Sequence, residues 1–250
     1  MDELLRGEFR DPVLIYWLGW WSALFCFGMA STTAWQIRDH PRLFMAMMLF
    51  SAAWVLVAAA AAGRLDAIAA VAKQKGQSEQ IVRTGNVTIL ADLAVDVALL
   101  LFVFVGAMFA REKREDHWAH KLHWWLLAAA LIVLIVLVRP DQLPLRLPQL
   151  NETQHELVMS DLLGTIGFAS LAVGVLALGT KSQKLWIVVA VVLWETVSLY
   201  RTWELWNIPK DASRPPISAE LAYSFVILRV VATWIVDKVA LRAHKAWSSA

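Results

Sequence analysis

Apolar residues are gathered in seven long blocks along the chain, and charged residues, proline or glycine bound each block. Most blocks hold about twenty residues, the length that a helix needs to cross a hydrocarbon core of ~30 Å. Membrane β-strands instead alternate apolar and polar positions in segments of about ten. The pattern therefore predicts an all-α, polytopic integral membrane bundle of about seven transmembrane helices, forming a single domain over residues 1–250. The predicted helices cover roughly 13–35, 43–63, 87–110, 122–138, 156–179, 185–203 and 218–237.

Composition agrees with this pattern and narrows the classes of function. The chain is 59% hydrophobic and 18% charged, with a formal net charge of +2, which argues against a nucleic-acid partner. Its one cysteine, Cys26, cannot build a disulfide or a cysteine metal site within one chain. Many of the 14 tryptophans lie near block ends, as in the aromatic belts of membrane proteins. Membrane lipids are therefore expected partners.

Orientation is predicted from the character of the connections, because Lys and Arg are equally numerous on the two sides of the predicted bundle. The compact basic segment AREKREDHWAHK is typical of a cytoplasmic connection. The proline-rich segments RPDQLPLRLPQLNETQHE and WNIPKDASRPPIS are more typical of external ones. We expect the N-terminus outside and the C-terminus inside, in a bacterial-type cytoplasmic (inner) membrane.

Two blocks have further local features. The second helix is expected to run on along the membrane surface towards Lys75, where Gly76 interrupts it. The fifth block places small residues along one helical face, which favours close packing against a neighbouring helix in lipid. These residues are Ser160, Gly164, Gly167, Ser170, Gly174 and Ala177.

Five ionisable side chains fall inside the apolar blocks, where each costs at least roughly 2.5–3.5 kcal/mol. They are Asp92, Asp96, Asp161, Glu195 and Arg229. At 1.5 Å per residue, the depths of Asp96, Glu195 and Arg229 predict one charged layer near the membrane midplane. Asp92 is predicted one helical turn above Asp96, with Asp161 at the level of Asp92.

These charges admit a structural and a functional interpretation. An ion pair between Arg229 and either Glu195 or Asp96 would fix the register of the helices. Alternatively, acids leading from outside to a midplane arginine are typical of an ion or proton path. There are four acids and one base, so some acids would lack a basic partner, and this favours the path. A carboxyl without a basic partner in a low-dielectric medium has a raised pKa, so it could take up and release a proton.

The sequence disfavours the common cofactors of helical membrane proteins. All six histidines lie at block ends, which argues against haem, and the middle of the last block holds Arg229 and Thr233 in place of a retinal-binding lysine. Asp116, His120 and His123 have the spacing D-x-x-x-H-x-x-H, a weak candidate for a divalent metal site. A charged helix start at the membrane interface is the preferred interpretation of those three residues.

Two functions remain in consideration. The first is ion- or proton-coupled transport or conduction through the charged layer. The second is a non-catalytic structural or accessory role in a larger membrane complex, with other membrane subunits or further copies of the chain as partners. No catalytic motif occurs, so an enzyme is the least favoured class. Such an enzyme would act on a lipid or quinone at the membrane interface, using the segment His117–His123.

Overall fold

Seven helices make up almost the whole of the structure, a computed structural model that describes residues 10–73, 78–112, 117–138, 152–207 and 219–248. Within these ranges only residues 37–40 and 179–180 are not helical. The prediction of an all-α fold with seven helices is confirmed. The helices are α1 (Arg10–Gln36), α2 (Pro41–Lys73), α3 (Ser78–Glu112), α4 (His117–Val138), α5 (Glu152–Leu178), α6 (Lys181–Asn207) and α7 (Ala219–Ser248).

Four helices contain a segment that is long and apolar enough, by length and composition, to cross a membrane. These segments are Val13–Gln36, Pro41–Lys73, Asn86–Phe109 and Val158–Leu178. Large apolar side chains such as Phe25, Leu90 and Trp125 are more than half exposed on the outer surface, which suits contact with lipid. The apolar helices are therefore compatible with an integral membrane protein.

α2 is longer than a membrane crossing needs. It runs unbroken through the predicted extension to Lys73, and its 33 residues correspond to about 50 Å. Asp66 and Lys73 are exposed in this last part, whereas Ala67 is buried. The helix therefore either tilts or projects beyond a hydrocarbon core of ~30 Å.

The helices pack in a closed ring. α1 contacts α2, α2 contacts α3, α3 contacts α5, α5 contacts α6, α6 contacts α7, and α7 returns to α1. α4 lies beside this ring, against α3 and α5. Among the four segments that are long and apolar enough to cross a membrane, the one in α5 is the most enclosed, with 72% of its apolar window buried, compared with 22% for α1.

A continuous series of aromatic side chains connects α2, α3, α5 and α6 inside the bundle. Trp54 of α2 contacts Phe102 of α3 at a centroid distance of 5.3 Å, and Phe102 contacts Phe168 of α5 at 6.5 Å. Phe168 then stacks on Trp194 of α6 at 4.3 Å, with the ring planes 20° apart. We call Trp54, Phe102, Phe168 and Trp194 the aromatic run, and it fills the middle of the bundle with buried side chains.

Candidate functional site

Asp161 is the most buried of the predicted intramembrane charges whose side chains are described. It lies in α5 and is only 9% exposed. One turn further along the same helix, Gly164 lies against the Trp194 indole, because a β-carbon at that glycine would come within 2.8 Å of the ring. Asp161 therefore sits about one helical turn from the end of the aromatic run.

Close glycine contacts fix the register between α3 and α5. Gly106 lies directly against the backbone of Ser170, and Gly167 lies against the Leu99 carbonyl. The two helices are thus parallel, and residue 161 of α5 lies at about the level of residues 93–97 of α3. The predicted placement of Asp161 at the level of Asp92 stays a prediction, because the side chain of Asp92 is not among those described.

Glu195 and Arg229 lie next to residues of one packed cluster. Trp194 of α6 and Leu228 of α7 belong to this cluster, together with Phe168 of α5. Glu195 directly follows Trp194, and Arg229 directly follows Leu228, so the two charges lie at similar levels on neighbouring helices. Both side chains are partly exposed.

Several predicted residues lie outside the described part of the structure. These are Asp116, together with the side chains of Asp92, Asp96 and His120. Among the described residues, no group of three or more His, Cys, Asp or Glu side chains could hold a metal ion. The candidate metal site at Asp116, His120 and His123 therefore stays a prediction.

His123 is buried inside the bundle, although its position near a block end had suggested a membrane interface. Its side chain is 5% exposed, and Nδ1 lies 3.3 Å from the hydroxyl of Ser170 on α5. The Ser170 hydroxyl donates its own hydrogen to the Val103 carbonyl of α3 at 3.0 Å. Nδ1 must therefore be the donor to Ser170. This three-helix contact joins α3, α4 and α5 at one point.

A second polar contact runs between α1 and α7. The Thr233 hydroxyl donates to the Arg229 carbonyl at 2.9 Å, and the Cys26 thiol of α1 is its hydrogen-bonding partner across the interface. Further along, the Thr33 hydroxyl hydrogen-bonds to the Asp237 carboxyl. We call Cys26, Thr33, Thr233 and Asp237 the α1–α7 seam, and all four side chains are buried.

An open cleft of about 590 Å³ lies along the α1–α7 seam. Its polar lining comes from Thr32, Thr33, Gln36, Asp237 and Lys238. Asp237 is 5% exposed, and its Oδ1 is buried with no hydrogen-bond partner among the described residues. Of the predicted intramembrane charges, the three with described side chains, Asp161, Glu195 and Arg229, do not line this cleft.

Sequence reasoning missed Asp237 because it stands at the end of the last apolar block, where a charge marks a boundary. A signal was nevertheless present. Arg229, Thr233 and Asp237 follow each other at intervals of four, and Cys26 and Thr33 are seven apart, so each set lies on one helical face. Two polar stripes in the first and last helices predict that these helices face each other.

No family model, curated protein sequence or solved structure matches the chain. Function is therefore inferred from the side chains themselves.

Proposed function

We propose that this integral membrane protein conducts protons or small cations through the charged layer formed by Asp96, Glu195 and Arg229, with Asp92 and Asp161 leading to it. The burial of Asp161 carries the proposal. A carboxyl group that is 9% exposed in the most enclosed apolar helix is costly to keep, and such residues in membrane helices commonly mark ion or proton paths.

The helix register supports the same proposal. Asp161 lies at about the level of residues 93–97 of α3, and Glu195 and Arg229 flank the cluster around Trp194, only about one turn away. A proton moving along these groups would cross short distances between neighbouring helices. The aromatic run lies beside them and would keep bulk water from passing freely.

Proton flux into vesicles tests the proposal. We would reconstitute the purified full chain into liposomes that contain a pH-sensitive dye and impose a membrane potential. Asp161→Asn is expected to lower the initial rate of dye response at least tenfold, because an amide cannot take up or release a proton. Asp161→Glu restores a titratable group and is expected to recover much of the flux.

Asp66→Asn is the matched control, since Asp66 is an exposed acid of α2 and is not one of the five charges of the proposed path. Its flux should equal that of the wild type. Wild-type flux in Asp161→Asn would remove Asp161 from the path. A wild-type protein no faster than empty liposomes would contradict conduction and favour the accessory-subunit interpretation.

A further inference from the structure

The α1–α7 cleft changes from apolar to polar along its length. Leu24, Phe25 and Met29 line it on α1 before Thr32 and Gln36, and Gly28 leaves open space between them because a β-carbon there would meet nothing within 4 Å. Phe25 and Gln36 are eleven positions apart, or about 16 Å along the helix. Such a gradient fits an amphiphile that lies parallel to α1.

The polar end of the cleft lies where the chain leaves the apolar region. α1 ends at Gln36, and residues 37–40 reverse the chain before α2 begins at Pro41. Arg38 lies over the Trp35 ring at 4.7 Å, a pairing suited to the headgroup level of a membrane. The polar groups of the cleft are thus at headgroup depth, and its apolar lining extends towards the hydrocarbon.

The Asp237 carboxyl makes the polar end of the cleft favour a positively charged hydrogen-bond donor. Its Oδ1 is buried without a hydrogen-bond donor among the described residues, which is unfavourable for a carboxyl oxygen removed from water. Thr33 hydrogen-bonds to the carboxyl and the charge of Lys238 attracts it, but neither donates a hydrogen bond to Oδ1. An N–H donor that carries positive charge would complete it, and the exposed Lys238 beside it offers a partner for a phosphate.

We propose that the cleft binds one membrane phospholipid whose headgroup bears a primary ammonium. The ammonium donates to the Asp237 carboxyl, the phosphate contacts Lys238, and one acyl chain lies along Leu24, Phe25 and Gly28. A quaternary ammonium has no N–H to donate, so a choline headgroup of the same charge binds more weakly. This inference rests on a membrane location and is independent of proton conduction.

Native mass spectrometry of the full chain tests the proposal directly. The protein, released from nanodiscs that hold equal amounts of ethanolamine and choline phospholipids with identical acyl chains, should retain the ethanolamine lipid about tenfold more, or ~1.4 kcal/mol. Asp237→Asn should abolish this preference. Asp39→Asn is the matched control, because Asp39 is an exposed acid at the same end of α1, and the preference should persist.

A second pair of variants tests whether the cleft itself holds the lipid. Gly28→Leu would fill the open space of the cleft and should lower retention of either lipid at least fivefold. Gly19→Leu adds the same side chain to α1 at a glycine that also has nothing within 4 Å of a β-carbon but does not line the cleft. It should retain the lipid as the wild type does.

Three results would overturn the inference. Equal retention of ethanolamine and choline lipids by the wild type would remove the role of the ammonium. Unchanged retention in Gly28→Leu would place the lipid elsewhere. Displacement of the lipid by millimolar phosphoethanolamine, with no acyl chain, would show that a water-soluble ammonium compound is the ligand and not a lipid. Because Gly28→Leu leaves Asp237 intact, the cleft remains testable if Asp237→Asn fails to fold.

Discussion

Single glycines decide how closely α3 and α5 approach. At Gly106 a β-carbon would collide with the backbone and the hydroxyl of Ser170. That hydroxyl already bonds to Val103 and His123, so it cannot move aside without breaking those contacts. In lipid, where apolar burial does not drive helices together, such close backbone contact is a main source of attraction.

Gly106→Ala is therefore expected to destabilise the protein by about 1–3 kcal/mol, the usual cost of an overpacked core. Gly19→Ala is the control, because a β-carbon at Gly19 meets nothing within 4 Å. Its unfolding temperature should be unchanged or slightly higher, since alanine favours a helix more than glycine does. Thermal unfolding in a mild detergent, followed by circular dichroism, measures both. Equal unfolding temperatures for the two variants would contradict the role of Gly106.

The sequence predicted some of these residues and not others. The small-residue face of α5 was predicted to pack closely, and this is confirmed, because Gly164, Gly167 and Gly174 all lie against neighbouring helices. The roles of His123 and Asp237 were not predicted. Each depends on a partner in a distant part of the chain, and local hydropathy carries no information about which helices become neighbours.

At the scale of whole elements, Trp194 of α6 makes two successive contacts with α5. Its ring stacks on Phe168 and lies over Gly164, so one side chain contacts α5 at two successive turns. Leu228 and Ala232 of α7 pack into the same cluster. Trp194 therefore holds three helices at one level, next to Glu195.

Trp194→Ala should lower the free energy of unfolding by about 3 kcal/mol, at the lower end of the usual range for Trp→Ala. In lipid the substitution removes packing contacts, whereas the hydrophobic effect contributes little to helix association. Trp186→Ala on the same helix is the comparison, since Trp186 is 53% exposed. Its cost should stay below about 1 kcal/mol. Unfolding by a denaturing detergent gives both values, and similar losses in the two variants would argue against Trp194 as the organising contact.

For the whole molecule, the number of helices was readable from the sequence, whereas their order around the ring was not. Seven apolar blocks predicted seven helices because each block is long enough to form one. The contact between α1 and α7 depends on polar side chains that face each other across the two helices. A hydropathy pattern identifies apolar segments and does not show which polar side chains will pair. Orientation rests on the character of the connecting segments and stays a prediction.

Cysteine labelling tests that orientation. Asp39 lies between α1 and α2, Asp66 lies near the far end of α2, and both are exposed. With the N-terminus outside, a membrane-impermeant maleimide should label Asp66→Cys in intact cells but Asp39→Cys only after permeabilisation. The native Cys26 is fully buried and should contribute little background. The opposite labelling pattern would reverse the proposed orientation.

The contact between the first and last helices also has a consequence for biosynthesis. α1 leaves the ribosome before α7, with five helices made between them, yet the two share the α1–α7 seam. Until α7 is made, the Cys26 thiol and the Thr33 hydroxyl lack the partners that α7 supplies. A chain truncated before α7 therefore exposes unpartnered polar side chains on α1. Membrane chaperones and proteases could use these exposed groups to recognise such a chain.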